Sequence, residues 1–293
     1  MAVASGESGP STVTVEQTEP RRRFKYDRRY TAPLLITGIL VSGHLSFGIL
    51  ESYEKTLVAI ATSVIAELVL SRALRGTWPH LASAYISGIS VGILVRSPLY
   101  WPFALCALLS ITSKYALRFK DRHIFNPSNF GICAMLFLAP YAVAPLSVQW
   151  GNYLLPMVVI WIIGSLTISR LHRFHICLTY VVSFVAFAGL RSVITGDMFL
   201  AELAPITGPM YQLFIFFMIT DPRTTVSSKK GQILVAFLVA FAEFFFRLGE
   251  VVYAPFYALF LVGPPAFIWE LWKKNRASGS GAVNGTPTVV AAT

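Results

Sequence analysis

The sequence predicts an all-α polytopic membrane protein of about ten transmembrane helices, arranged as two inverted five-helix repeats. Three observations predict it. Apolar residues make up 55% of the 293, and charged residues only 13%, about half the ~25% of a soluble domain. Mean hydropathy is +0.63. The apolar residues gather into runs, several of which reach the roughly 20 residues a helix needs to cross a bilayer. Finally, the basic residues fall between those runs on alternate sides.

Residues 1–20 are polar and rich in Ser, Thr, Glu and Pro, and residues 277–293 are largely Ser, Gly, Ala and Thr. Neither stretch can bury enough apolar surface to offset the entropy of ordering, so both are expected to be disordered tails. That leaves one membrane domain over 21–276. Its first apolar run starts too far into the chain, and is too poorly followed by a cleavage site, to be a signal peptide. Ten apolar segments follow: 33–50, 56–74, 80–95, 99–115, 127–139, 153–169, 175–193, 209–220, 231–247 and 251–272. The fifth and eighth are short. At 1.5 Å per residue they cover about 18–20 Å of a roughly 30 Å hydrocarbon core, so they are expected to be partial or tilted helices.

Charge fixes the expected orientation. The flank RRRFKYDRR carries six basic residues, which places it in the cytoplasm. Alternating from there puts twenty of the 24 Lys and Arg on the inner side, and only Lys55, Arg96, Arg191 and Arg247 fall elsewhere. A wrong number of spans would scramble this pattern. The expectation is a multi-pass protein of the cytoplasmic (inner) membrane with both termini inside. Orientation and attraction to anionic lipid account for the net charge of +10, with no nucleic acid required.

The two halves, about 33–139 and 153–272, echo each other. The third segment leads to Arg96-Ser97-Pro98 and the eighth to Thr220-Asp221-Pro222. The fifth opens IFNPSNFG and the tenth VYAPFYAL, and both end in a small residue and Pro. With five segments per half, the second copy must be upside down, the arrangement of many transport folds, whose sites lie near the repeat interface.

The breaks are the candidate sites, because backbone leaves a helix at membrane depth only where protein or a water-filled cavity satisfies it. Pro127 suits the first turn of a helix, Asn126 its N-cap, and Asn129 the next position on that face. Such an N-terminus holds a phosphate, ring carbonyl or amide, or else is simply a well-capped helix. Thr220, Asp221, Pro222, Arg223 and Thr224 read as a carboxylate at a cavity mouth, or as a turn capped by Asp221. Glu67, His44 and Glu243 lie inside apolar segments and are ion-path candidates by default. For Glu67 the alternative is a neutral carboxyl bonded to Ser or Thr, and for Glu243 snorkelling to the interface. Cys106, Cys133 and Cys177 form no Cys-x-x-Cys pair, so neither a metal site nor a disulfide framework is expected. No His pair is placed for axial haem ligation. The Phe214, Phe216, Phe217 and Phe244–Phe246 runs suit either a flavin or quinone ring, or helix packing.

FFMITDPRTT and IFNPSNFG resemble the signatures of a family of ion-pumping membrane proteins. The family comprises the D component of the Rnf electron-transport complex and the B component of the sodium-pumping NADH:quinone oxidoreductase. RHIFNPSNFG is closest to its UnbU-type members from enediyne-biosynthesis clusters. The resemblance covers most of 33–272 and implies a ten-helix bundle carrying flavin on an electron and cation path. It also implies FMN esterified to a Thr in a Ser-Gly-Ala-Thr type sequence before the eighth span. Here the nearest matches, ITGDM at 194–198 and ITGPM at 206–210, carry Met at the acceptor position. Covalent FMN is therefore expected to be absent, leaving a non-covalent flavin or quinone near Asn126, Asn129 and Asp221. Expected partners are the lipid bilayer and other membrane redox subunits. The leading expectation is a membrane subunit for electron transfer and/or coupled ion movement. The alternatives are an inverted-repeat solute or ion permease without redox chemistry, and a membrane accessory or export protein of a biosynthetic pathway. No nucleotide-binding motif points to catalysis by the chain alone.

Overall fold

The computed structural model describes residues 31–47, 52–119, 122–145 and 154–282. The expected N-terminal tail, the basic flank before residue 31, Lys120 and the tail from 283 onward lie outside the described residues. Helix dominates. In order come α1 (Thr31–Phe47), α2 (Tyr53–Arg75), α3 (Ala82–Leu94), α4 (Trp101–Ala116), α5 (Pro127–Leu138), α6 (Leu154–Leu171), α7 (Phe174–Thr195), α8 (Phe199–Leu203), α9 (Pro209–Leu213), α10 (Lys229–Leu248) and α11 (Ala254–Ala282). Each of the ten apolar segments contains helix among its described residues. Among the described residues, α2, α7, α10 and α11 are long and apolar enough to cross a membrane. A fifth crossing is available if Phe199–Thr207 and Pro209–Met218, bent by 60°, count as one span. The protein is thus an all-α, multi-pass membrane protein.

Local chemistry sets the helix ends. Ser52 caps α2, accepting from the Lys55 N–H at 3.4 Å, and Gly76 closes it in the left-handed region at φ 67°. Gly196 closes α7 in the same way at φ 83°. A glycine reaches this conformation without a Cβ clash. Asn126 caps α5 and Pro127 opens it. Ser228 caps α10, accepting from the Gly231 N–H at 3.2 Å. Short strands fill two joints. β1 (Val95–Arg96) pairs antiparallel with β4 (Ala144–Pro145), and β2 (Arg118–Phe119) with β3 (Arg122–His123).

Two elements differ from expectation. The third segment yields only 13 residues of helix before the chain turns extended at Val95, so it too is short, about 20 Å. The eighth segment is the second part of a longer broken element. α8 and a 3₁₀ turn (Ala204–Thr207) precede α9, which winds on as a π turn over Phe214–Met218. Pro205 and Pro209 each remove a backbone donor inside this element, which accounts for the bend.

α2 packs on α3 and α4, α4 on α5, α7 on α10, and α10 on α11; α1 meets α6 and α5 meets α11. Small residues let helices approach. A Cβ on Gly88 of α3 would lie 2.6 Å from the Ile60 Cα on α2, so only glycine permits this approach, as at other small-residue contacts between membrane helices. The broken element lies antiparallel along α7. Arg173 donates to the Thr220 carbonyl at 3.4 Å, the Tyr180 and Phe214 rings are 5.4 Å apart, as are those of Phe184 and Tyr211, and Arg191 pairs with Glu202 at 2.9 Å.

Candidate functional site

The breaks of the two halves meet. Asn126, at the start of α5, donates from Nδ2 to Asp221 Oδ2 at 3.3 Å. Its Oδ1 accepts from the Asn129 N–H at 3.1 Å, the N-cap expected from Asn-Pro. Asp221 forms a turn: Oδ1 accepts from the Arg223 N–H at 3.0 Å and Oδ2 from the Thr224 hydroxyl at 3.2 Å. The turn read from sequence is thus formed by this carboxylate, which also faces the other half of the chain through Asn126.

Arg122, from β3, ties the joint together. Its guanidinium donates to the carbonyls of Pro222, Arg223 and Thr225 at 3.1, 2.9 and 2.9 Å, and lies 4.4 Å from the centre of the Phe267 ring. From sequence, Arg122 reads as an orienting charge in the basic 118–122 loop, a loop that could pair with the Asp221 carboxylate; its guanidinium instead holds the backbone carbonyls of that turn. Thr220 is buried, its hydroxyl bonded to the Phe216 carbonyl at 2.6 Å. Arg223 is exposed and Thr224 half-buried. Asn129, 2% exposed, donates to the Phe256 carbonyl at the start of α11 at 3.2 Å, and its Oδ1 is buried without a hydrogen-bond partner. His123 is buried beside this cluster. Burial pushes its imidazole down to about 4, with Arg223, Lys114 and Arg122 adding to the effect and Asp221 opposing it.

The three ion-path candidates sit in separate surroundings. His44 packs edge-on against Tyr53 with ring centroids 4.3 Å apart. Glu67 is 6% exposed. It forms a buried pair with Lys114 of α4 at 2.5 Å and accepts from the Tyr115 hydroxyl at 2.9 Å, in place of the Ser or Thr partner weighed from sequence. Breaking such a pair by removing one member costs about 3–5 kcal/mol.

Glu243 does not snorkel. It is 1% exposed and accepts hydrogen bonds from the hydroxyls of Tyr180 on α7 and Tyr211 on α9, the latter at 2.7 Å. Beside it, Glu202 of α8 binds Arg191 at 2.9 Å and Arg247 at 3.2 Å. Sequence reasoning does not single out Glu202, Tyr180 or Tyr211 as site residues. Arg191 and Arg247, however, are two of the four basic residues out of step with the alternating charge. A basic residue on the wrong side of a span is such a signal, because it needs a local partner.

Neither Met198 nor Met210 can carry a phosphoester, since a thioether has no hydroxyl to esterify. Met198 is exposed at the head of α8 and Met210 is buried in α9. The nearby hydroxyls are engaged: Thr195 with the Arg191 carbonyl at 3.1 Å and Thr207 with that of Ala204 at 2.6 Å. Among the described residues no group of three or more His, Cys, Asp or Glu is placed to hold a metal ion. No family model and no curated protein matches the chain.

Proposed function

We propose that this chain is a membrane subunit that takes part in electron transfer or coupled ion movement, built as two inverted five-helix repeats crossing the membrane ten times. In this reading both termini lie in the cytoplasm, and the site is the junction of the two breaks. The observation that carries it is the contact between Asn126 and Asp221, 95 positions apart, which joins the broken ends of the two halves. Inverted-repeat proteins place their sites where such broken helices meet.

The packing supports the repeat. In each half the second helix ends on a left-handed glycine, Gly76 or Gly196. In each half a cation at the head of that helix donates to a carbonyl just before the proline of the break: Lys55 to Ser97 at 2.6 Å, and Arg173 to Thr220 at 3.4 Å. The second helix packs on the fourth and the fourth on the fifth in both halves, and first meets first and fifth meets fifth between halves. The resemblance of FFMITDPRTT and IFNPSNFG to the Rnf-type family supports the redox part. The acceptor position that the resemblance implies carries Met here, so the cofactor in this reading is a flavin or quinone held without a covalent bond.

The test is the visible spectrum of the full chain purified in mild detergent, followed by denaturation and assay of released flavin. Bound flavin near one per chain is expected, falling several-fold in Asp221→Asn and in Asn126→Ala. Full cofactor content in both variants would reduce the breaks to joints. A second reading, a permease without redox chemistry, is favoured by the buried charged groups Glu67 of α2, Lys114 of α4, Glu202 of α8 and Glu243 of α10, which a solute or ion path uses and an electron path does not. A colourless chain that moves a solute in liposomes would select it.

A further inference from the structure

Between α7 and α10 lies a small recess of about 10 Å³, room for about one water, lined chiefly by Phe184, Phe187, Arg191, Glu243, Phe244 and Arg247. It sits near the Leu248 end of α10. The Asn126–Asp221 junction is near the other end, about 20 Å away along the helix at 1.5 Å per residue. Charge in and around this recess is unevenly shared. Glu202, 5% exposed, has two cationic partners, Arg191 and Arg247, and Arg247 also donates to its backbone carbonyl at 2.8 Å. Glu243 has two phenols and neither guanidinium. Yet Arg247 is four residues beyond Glu243 on the same helix, where side chains are neighbours. The Nε of Arg191 is buried without a hydrogen-bond partner.

We propose that Glu243 is a proton-exchange site, and that Arg247 trades between Glu202 and Glu243 as the proton comes and goes. With the proton on Glu243, one phenol turns to accept from it and Arg247 stays on Glu202. When the O–H bond of Glu243 breaks, the electron pair stays on the carboxylate and the proton passes to a water in the recess. Arg247 then turns to Glu243. Glu202 keeps Arg191, so each carboxylate has a guanidinium after the exchange. An unpaired buried carboxylate would be costly, and the surplus cation on Glu202 removes that cost.

A metal cation is the wrong ion for this recess. Arg191 and Arg247 both line it, and like charges a few ångströms apart repel strongly away from water. A proton binds on the carboxyl itself and needs no coordination shell. The groups facing Glu243 are Tyr180 and Arg191 from α7, Tyr211 from α9, and Arg247 from its own helix, with Glu202 of α8 behind the two arginines. A role in transport rests on the ion path proposed above; the exchange itself needs no redox partner.

The test is a pH titration of the full chain in lipid nanodiscs, followed by the infrared stretch of protonated carboxyl groups. A titrating band is expected that disappears in Glu243→Gln and persists in Glu202→Gln. In Glu202→Gln, Arg247 is released to Glu243, so proton affinity should fall at least tenfold. The absence of a titrating band, its survival in Glu243→Gln, or an unchanged midpoint in Glu202→Gln would each overturn the proposal. Should Glu243→Gln not fold, Tyr180→Phe removes one donor to the carboxylate and should raise proton affinity several-fold; an unchanged midpoint there also overturns it. Loss of flavin or of ion flux, by contrast, bears on the function proposed above and leaves this titration untouched.

Discussion

His123 occupies a hairpin residue at the junction of the halves, where burial and three cations keep its ring neutral against the single pull of Asp221. Its folded value, about 4, lies below the ordinary 6.5, so the unfolded chain binds the proton more readily. Stability therefore rises with pH wherever only the unfolded ring is charged. The contribution is complete above 6.5, declines as pH falls from 6.5 toward 4, and changes no further below that. Thermal unfolding of the chain in detergent between pH 7.5 and 4.5 should show this decline. His123→Gln should flatten it while leaving stability at pH 7.5 within about 3 kcal/mol, the usual range for a single substitution. An equal decline in the variant would locate the acid sensitivity elsewhere.

Elements are legible where one or two residues decide them. Asn126-Pro127 names the start of α5, and the observed helix begins there. α8 escapes sequence reasoning because FLAEL, five residues with a glutamate, has no apolar run of its own. Its place depends on Arg191 and Arg247, held on two other helices. The depth of Glu243 is hidden for a similar reason: its phenol partners are 32 and 63 residues away, beyond any local pattern. The shortness of α3 is not marked in its apolar run, but the glycines of Ser-Gly-Ile-Ser-Val-Gly lie at a close contact with α2. That contact makes a test at this scale. In Gly88→Ala the new Cβ would meet backbone, the Ile60 Cα at 2.6 Å and the Ala59 carbonyl at 3.1 Å, whereas Gly38→Ala meets nothing within 4 Å. Overpacking costs about 1–3 kcal/mol, so Gly88→Ala should lower the melting temperature by several degrees. Gly38→Ala should hold or raise it, since Ala exceeds Gly in helix propensity by about 1 kcal/mol. Equal effects would show that α2 and α3 can part without cost.

At the scale of the whole molecule, the number of crossings turns on the bent element between Asp197 and Arg223. A re-entrant loop would return to the side it left, whereas a broken span would cross. The contacts with α7 favour crossing. α7 is 22 residues long, about 33 Å, enough to span by itself. The start of the bent element bonds to its far end, Glu202 to Arg191, and the finish bonds to its head, Thr220 to Arg173. An element anchored at both ends of a spanning helix must travel the same depth. Asp197 and Arg223, both exposed, are therefore expected on opposite faces of the membrane. The three cysteines are buried, so replacing them gives a background for single-site labelling. In intact cells a membrane-impermeant maleimide should reach Asp197→Cys and Val252→Cys, while Arg223→Cys and Lys230→Cys should react only after the membrane is opened. Labelling of Asp197→Cys and Arg223→Cys from one side would make the bent element a re-entrant loop, and the even alternation of charge along the chain would then need another cause.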